Sequence, residues 1–182
     1  MADEKNTGPD FIRAYKGFYG TAQPDGTRKG GLDNGMKAQI RRETEPEDLR
    51  DTPALYELFK YLQARPHDGW LRIAFLLPWC EDCGDAKRAA TPRFGRLLHE
   101  AKISELRLFQ VARSRSPLDV IQLRRLAIIL KAPRVDWKSF GWLLYRSEPD
   151  GSWRRKSKRQ LIEDYYIAQP ASSDKQEASH EH

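Results

Sequence analysis

Two tetrapeptides of the form Gln-aliphatic-Arg-Arg occur in this 182-residue chain, Gln39-Ile40-Arg41-Arg42 and Gln122-Leu123-Arg124-Arg125. A guanidinium keeps its charge at every physiological pH and presents a planar fork of N–H donors that matches phosphate or carboxylate oxygens. Both copies lie in segments with helical periodicity, so the paired cations belong to packed helices. Such an arrangement suits holding a polyanion rather than cutting one.

The remaining charge supports this. Between Lys102 and Arg134 eight basic residues face only Glu105 and Asp119, a net of +6, which equals the formal charge of the whole protein. Arg154, Arg155, Lys156, Lys158 and Arg159 form a further basic run, whereas 43–51 holds five acids against one arginine. With a pI of about 9.4, the balance points to a polyanionic partner, nucleic acid ahead of a membrane surface. Arg124 and Lys131, seven apart, mark the polar stripe of an otherwise apolar helix. Arg125 falls nearer the apolar side, and two roles are open to it: pairing with a carboxylate such as Asp119, or phosphate contact. Arg107, Gln110 and Ser114 make a second polar stripe of hydrogen-bond donors. Most tryptophans and tyrosines fall on apolar faces and read as core; Trp153, beside the basic run, is placed to stack on a base.

Enzyme chemistry has little to stand on. Cys80-Glu-Asp-Cys83 has redox spacing without the βαβ context that gives it meaning, and adding His67 or His99 does not produce a zinc-finger spacing. Glu45, Asp48 and Asp51 are explained more simply as acids at a helix start. No Gly-rich phosphate loop or nucleophile elbow is present. The sequence calls for no cofactor and no metal.

The elements that position these residues are helical. Phe11, Ala14, Tyr15 and Phe18 give a short apolar face over 10–19. Residues 20–31, with four glycines, read as a mobile loop. Asp33 or Asn34 caps a helix running to about Glu43, with Met36 and Ile40 on its inner face. Thr52-Pro53 starts another, with a stripe of Leu55, Leu58, Phe59 and Leu62. The apolar run 70–79 is assigned to a buried helix, since no strand partner is visible. Segment 80–92 reads as a loop and boundary. Further helices carry Leu97 and Leu98, then 104–114, then a helix opened by Ser116-Pro117 that is apolar almost all round. Asp136 caps the next, with Trp137, Phe140, Leu144 and Tyr145 on one face. Ser157 with Gln160 resembles a capping box for the last, whose stripe is Leu161, Tyr165 and Ala168.

The fold class expected is all-α, two small helical bundles sharing a core: an N-terminal bundle over 1–80, a linker over 81–92, a basic C-terminal bundle over 93–169 and a disordered tail over 170–182. No stretch is long enough to span a bilayer, the first residues lack an apolar signal core, and two cysteines make no disulfide framework. The expected location is the cytoplasm.

Several ordered motifs resemble one family. Gln39 to Arg42 is followed by Glu45-Pro46, Leu49-Arg50-Asp51, Pro53-Ala54 and Tyr56. Then come Arg107-Leu108-Phe109-Gln110, Arg113, Asp119 and Gln122 to Leu126, and later Asp136-Trp137 and Leu161 to Asp164. Together, over roughly 32–59 and 97–167, they resemble CasB, the small subunit of the type I-E CRISPR surveillance complex Cascade. The resemblance implies a non-catalytic all-α subunit that dimerises within Cascade. It would lie along the guide RNA–target DNA hybrid and help hold the displaced strand. Its partners would be other Cascade subunits, guide RNA and target DNA. By motif position it implies that Arg42, Arg107, Arg113 and Arg125 face nucleic acid, with Lys156 or Arg159 in the last basic run. The residues themselves add Arg41, Arg124 and Lys131. The rival reading is a stand-alone, sequence-nonspecific single-strand nucleic-acid-binding protein.

Overall fold

Local signals start most of the helices, and long-range packing then turns and trims them. The computed structural model describes residues 9–145 and 152–167. In chain order come α1 (Phe11–Tyr19), β1 (Thr21–Ala22), β2 (Arg28–Lys29), α2 (Asn34–Arg42), α3 (Pro53–Leu62) and α4 (Asp68–Leu76). They are followed by β3 (Glu81–Asp82), α5 (Phe94–Glu100), α6 (Glu105–Arg113), α7 (Leu118–Ile129), β4 (Arg134–Val135), α8 (Trp137–Tyr145) and α9 (Ser152–Ile167). The fold is mostly α, with only two-residue strand pieces.

α4 and its continuation as a 3-10 turn, Leu77–Trp79, form the centre. Every residue from Gly69 to Leu76 is buried, as expected of a helix apolar on all sides. α1, α2, α7 and α8 pack around it. Phe11 of α1 meets Trp70, Trp142 and Tyr145 edge-on, at centroid distances of 5.9, 5.3 and 5.5 Å. Buried apolar residues from α1 through α9 join in one cluster. Each fully buried Leu, Ile or Phe contributes about 1.5–3 kcal/mol relative to exposure.

Several expected local features hold. Asp33 caps α2, its carboxylate accepting from Met36 N at 2.8 Å. Pro53 opens α3, though Thr52 uses its hydroxyl to bond the Leu49 carbonyl at 2.8 Å rather than the helix amides. Asp136 accepts from Lys138 N at 3.0 Å and starts α8.

Other expectations are corrected. Residues 20–31 form a small hairpin, with Thr21 opposite Lys29 and Ala22 opposite Arg28, not an unstructured loop. Gly20 and Gly31 both take positive φ, and a Cβ on either would strike neighbouring backbone at the hairpin's base, so glycine is what lets that base close. Residues 81–92 hold β3, which pairs in parallel with β4, and a 3-10 stretch from Asp85 to Ala90. Arg88 ties this segment to the start of α8, bonding Asp82, Asp85 and Asp136.

Ser116 does not cap α7; Pro117 takes that place and the Ser116 hydroxyl accepts from Arg72 at 3.2 Å. α7 is not apolar-buried all round: Val120, Leu123, Leu126 and Ala127 face the core, while Leu118, Ile128 and Ile129 are about half exposed. The helix packs on one side only, against α4 and α6. α9 begins at Ser152, so Ser157 and Gln160 lie inside it and form no capping box. The Arg- and Lys-rich stretch before them propagates a helix well. α9 packs most closely on α5, where Gly95 lies directly under the Leu161 carbonyl. Ala168 and the expected tail from Pro170 lie outside the described residues.

Candidate nucleic-acid interface

Fixed charge on a rigid helix is useful to a polyanion only if it is exposed and not already neutralised. Arg41 and Arg42 end α2, where cations favour the negative end of the helix dipole. Both are exposed. The Arg41 charge lies near the Tyr19 hydroxyl, whose pKa burial pushes up to about 12 against the pull of that cation. On α6, Leu108 and Val111 turn inward and leave Arg107 and Gln110 outside. Arg113 is exposed with its guanidinium 5.3 Å from the Phe109 ring. Ser114 is occupied at both ends: its hydroxyl donates to the Gln110 carbonyl and its carbonyl accepts from Lys158.

On α7 the two adjacent arginines exchange their expected places. Arg125 is exposed. Arg124 is the inward one: Nη1 donates to the Glu43 carbonyl at 2.6 Å, and the guanidinium lies 4.5 Å from the Phe75 ring and 5.9 Å from that of Trp79. Its Nε is closed off from solvent. Burial, reinforced by the Arg125 charge, lowers its pKa from the ordinary arginine value. Lys131 is not on the α7 stripe at all. The helix ends at Ile129, and Lys131 follows in a left-handed conformation at φ 57°, exposed. On α9, Arg159 is exposed, while the side chains of Trp153 and Lys156 lie outside the described residues.

Asp119 does not meet Arg125. It is fully buried, and Arg72 of α4 holds it with bonds of 2.8 and 3.1 Å while Lys158 of α9 lies 3.2 Å away. Burial opposes its ionisation, but the two cations outweigh that and hold its carboxyl below the usual carboxylate range. Arg72 also donates to the Leu144 carbonyl at 2.8 Å. Arg72 was legible as the single charge in the apolar run 70–79, since a buried charge requires a partner. Its partner, 47 positions on, left no local signal.

The result is a sorting of cations. Arg50, Arg72, Arg88, Arg93, Arg96, Arg134 and Lys158 have carboxylates within 4 Å. Among the described residues, Arg41, Arg42, Arg107, Arg113, Arg125, Lys131 and Arg159 are among those that have none. α6 packs on both α7 and α9, and Arg124 joins α7 to the end of α2. The helices that carry these cations, or lead directly into the turn holding Lys131, are therefore neighbours.

The other chemical candidates are engaged elsewhere. Cys80 and Cys83 are free and buried, and burial drives the Cys80 thiol pKa far upward. His67 meets the Tyr145 hydroxyl at 3.0 Å and accepts from Gly69 N; His99 meets the Tyr165 ring edge-on. Asp48 closes a turn, accepting from Thr44 and from Glu45 N. Among the described residues no group of three or more His, Cys, Asp or Glu side chains could hold a metal ion. The aromatic expectation is corrected in part: Tyr56 and Tyr61 of α3 are about half exposed, and Trp142 partly so.

Comparison with known proteins decides the family. The chain is 35% identical over 145 residues to the CRISPR system Cascade subunit CasB of Escherichia coli K12, covering 75% of this chain and 86% of that protein. The chain belongs to the CasB family. Its fold matches a chain of E. coli Cascade, crystallised bound to a PAM-containing double-stranded DNA target, with a TM-score of 0.69. That match has 28% identity and covers 90% of this chain and all of the other. No family model matches the sequence. Among the described residues, no helix is long and apolar enough to cross a membrane.

Proposed function

We propose that this CasB family member is a non-catalytic subunit of a type I-E Cascade surveillance complex in the cytoplasm. It grips nucleic-acid backbone through an arginine-rich groove, steadying the guide RNA–target DNA hybrid and the displaced strand in antiviral defence. Other Cascade subunits, guide RNA and target DNA are its partners, and a second copy of the chain pairs with it inside the complex.

The observation that carries the reading is the set of exposed, unneutralised cations on adjoining helices, Arg41 and Arg42, Arg107 and Arg113, Arg125 and Arg159, with Lys131 just past the end of α7. All but Lys131 are borne by packed helices, so little entropy is lost when they meet phosphate. No base-reading motif accompanies them, which suits binding that follows the backbone and leaves sequence to base pairing. Exchanging a DNA duplex for an RNA–DNA hybrid is nearly balanced in energy, so a few charge-assisted contacts are enough to tip it.

The test is reconstitution. The tagged chain is expected to co-purify with the other Cascade subunits and guide RNA, and complexes lacking it should capture target DNA poorly. A chain that assembles with none of them, yet binds single strands tightly alone, would instead be a stand-alone nucleic-acid-binding protein.

A further inference from the structure

We propose that Arg124 is a positioning residue: it fixes the C-terminal end of α2 and so presents Arg41 and Arg42, without itself contacting nucleic acid. The inference rests on the arginine-groove reading, but its geometry stands apart from it. The bond from Arg124 Nη1 ends on the Glu43 carbonyl, one residue after Arg42. Glu43 has left the helical conformation, at φ −63° and ψ 140°, so its carbonyl has no amide of a following turn to accept from. The Arg124 guanidinium supplies that donor from another element. It is itself held over Phe75 and beside Trp79, on the central segment against which both α2 and α7 pack. Gln39, one turn earlier on α2, has its amide oxygen buried. The first tetrapeptide thus turns the amide oxygen of its first residue inward and its last two residues outward, and the second tetrapeptide supplies the residue that locks its end.

A planar fork stacked on an aromatic face is not reproduced by an ammonium. That separates the two possible roles of Arg124. A phosphate contact would tolerate Arg124→Lys, because the charge remains. A positioning role would not, because the stacking and the reach to the Glu43 carbonyl disappear.

The experiment combines hydrogen exchange of the full chain with oligonucleotide binding across a salt series, for wild type, Arg124→Lys, Arg124→Met, Arg42→Ala and the Arg42→Ala/Arg124→Lys double variant. Exchange of the amides in the last turn of α2 is expected to rise about tenfold in both Arg124 variants, as follows from removing one charge-assisted bond. Binding should weaken in Arg124→Lys as in Arg42→Ala, and the double variant should bind about as well as the weaker single variant, short of the product of the two effects. Unchanged α2 exchange in both Arg124 variants would overturn the proposal. So would wild-type binding by Arg124→Lys beside a salt slope in Arg124→Met lower by about 0.7–0.9, the signature of one phosphate contact. Wild type that binds no oligonucleotide while α2 exchange still responds to Arg124 would sink the groove and leave the bracing of α2 in place.

Discussion

Arg72 and Asp119 face each other through two hydrogen bonds, with side-chain exposures of 5% and 1%, and join α4 to α7 in the centre of the protein. Lys158 approaches the same carboxylate from α9. One buried acid thereby ties three helices together, and one of them carries the last basic run. Removing a single partner leaves an uncompensated buried charge. Asp119→Ala is expected to lower stability by about 3–5 kcal/mol, read by urea unfolding. Arg72→Met with Asp119→Leu should cost less than Asp119→Ala alone, because no lone charge remains. Equal stability of Asp119→Ala and wild type would contradict this account.

Arg125 and Arg124 should differ in kind. Arg125 is exposed, so Arg125→Ala should change stability by less than about 0.5 kcal/mol. Its effect should appear in nucleic-acid binding instead. Thermal melting by circular dichroism beside target binding by the assembled complex separates the two readouts. A large fall in melting temperature would show that Arg125 braces the fold.

Arg107→Ala with Arg113→Ala should leave helical content near wild type, because neither side chain is part of the buried face of α6. Target capture by the complex should weaken, and the log–log dependence on salt should become shallower by about 0.7–0.9 for each phosphate no longer engaged. Binding with wild-type affinity and wild-type salt slope would place the groove elsewhere.

Acid should unfold the protein through Asp119 and Asp136. Burial alone would raise both pKa values, but Arg72 and Lys158 beside Asp119, and Arg88 beside Asp136, bring each below its ordinary value of 3.8. A carboxylate depressed in the folded state contributes stability that is present above its unfolded pKa and lost as pH falls through the folded one. Stability measured from pH 7 downward should therefore hold to about pH 4 and then decline. In Asp136→Asn the part of that decline due to Asp136 should vanish.

Gly95→Ala should loosen α9. The added methyl would meet the Leu161 carbonyl, which is backbone and has no flexible end to move aside. A fall in melting temperature, with faster exchange over α5 and α9, is the expected outcome; an unchanged melting temperature would mean that the two helices slide apart at little cost.

Most helices were legible locally. The 3.6-residue period placed α1, α3 and α6 within a residue or two, and Asp33, Thr52-Pro53 and Asp136 marked starts, because capping and periodicity act between near neighbours. The apolar run 70–79, assigned to a helix for want of a strand partner, is helical, as α4 to Leu76 and then a 3-10 turn. The sorting of the arginines was another matter. Arg124 and Arg125 are adjacent and identical, and a helix turns about 100° between them. Which one points inward depended on Phe75, Trp79 and Glu43, residues distant in sequence that pack beside α7 only in the folded chain. The partner of Asp119 was likewise chosen by the approach of α4, not by the nearest arginine in sequence. Residue type and period settled that this chain is helical and carries fixed positive charge. Tertiary packing alone decided which of those charges are spent inside the protein and which stay exposed, because neutralisation depends on distance in space rather than along the chain.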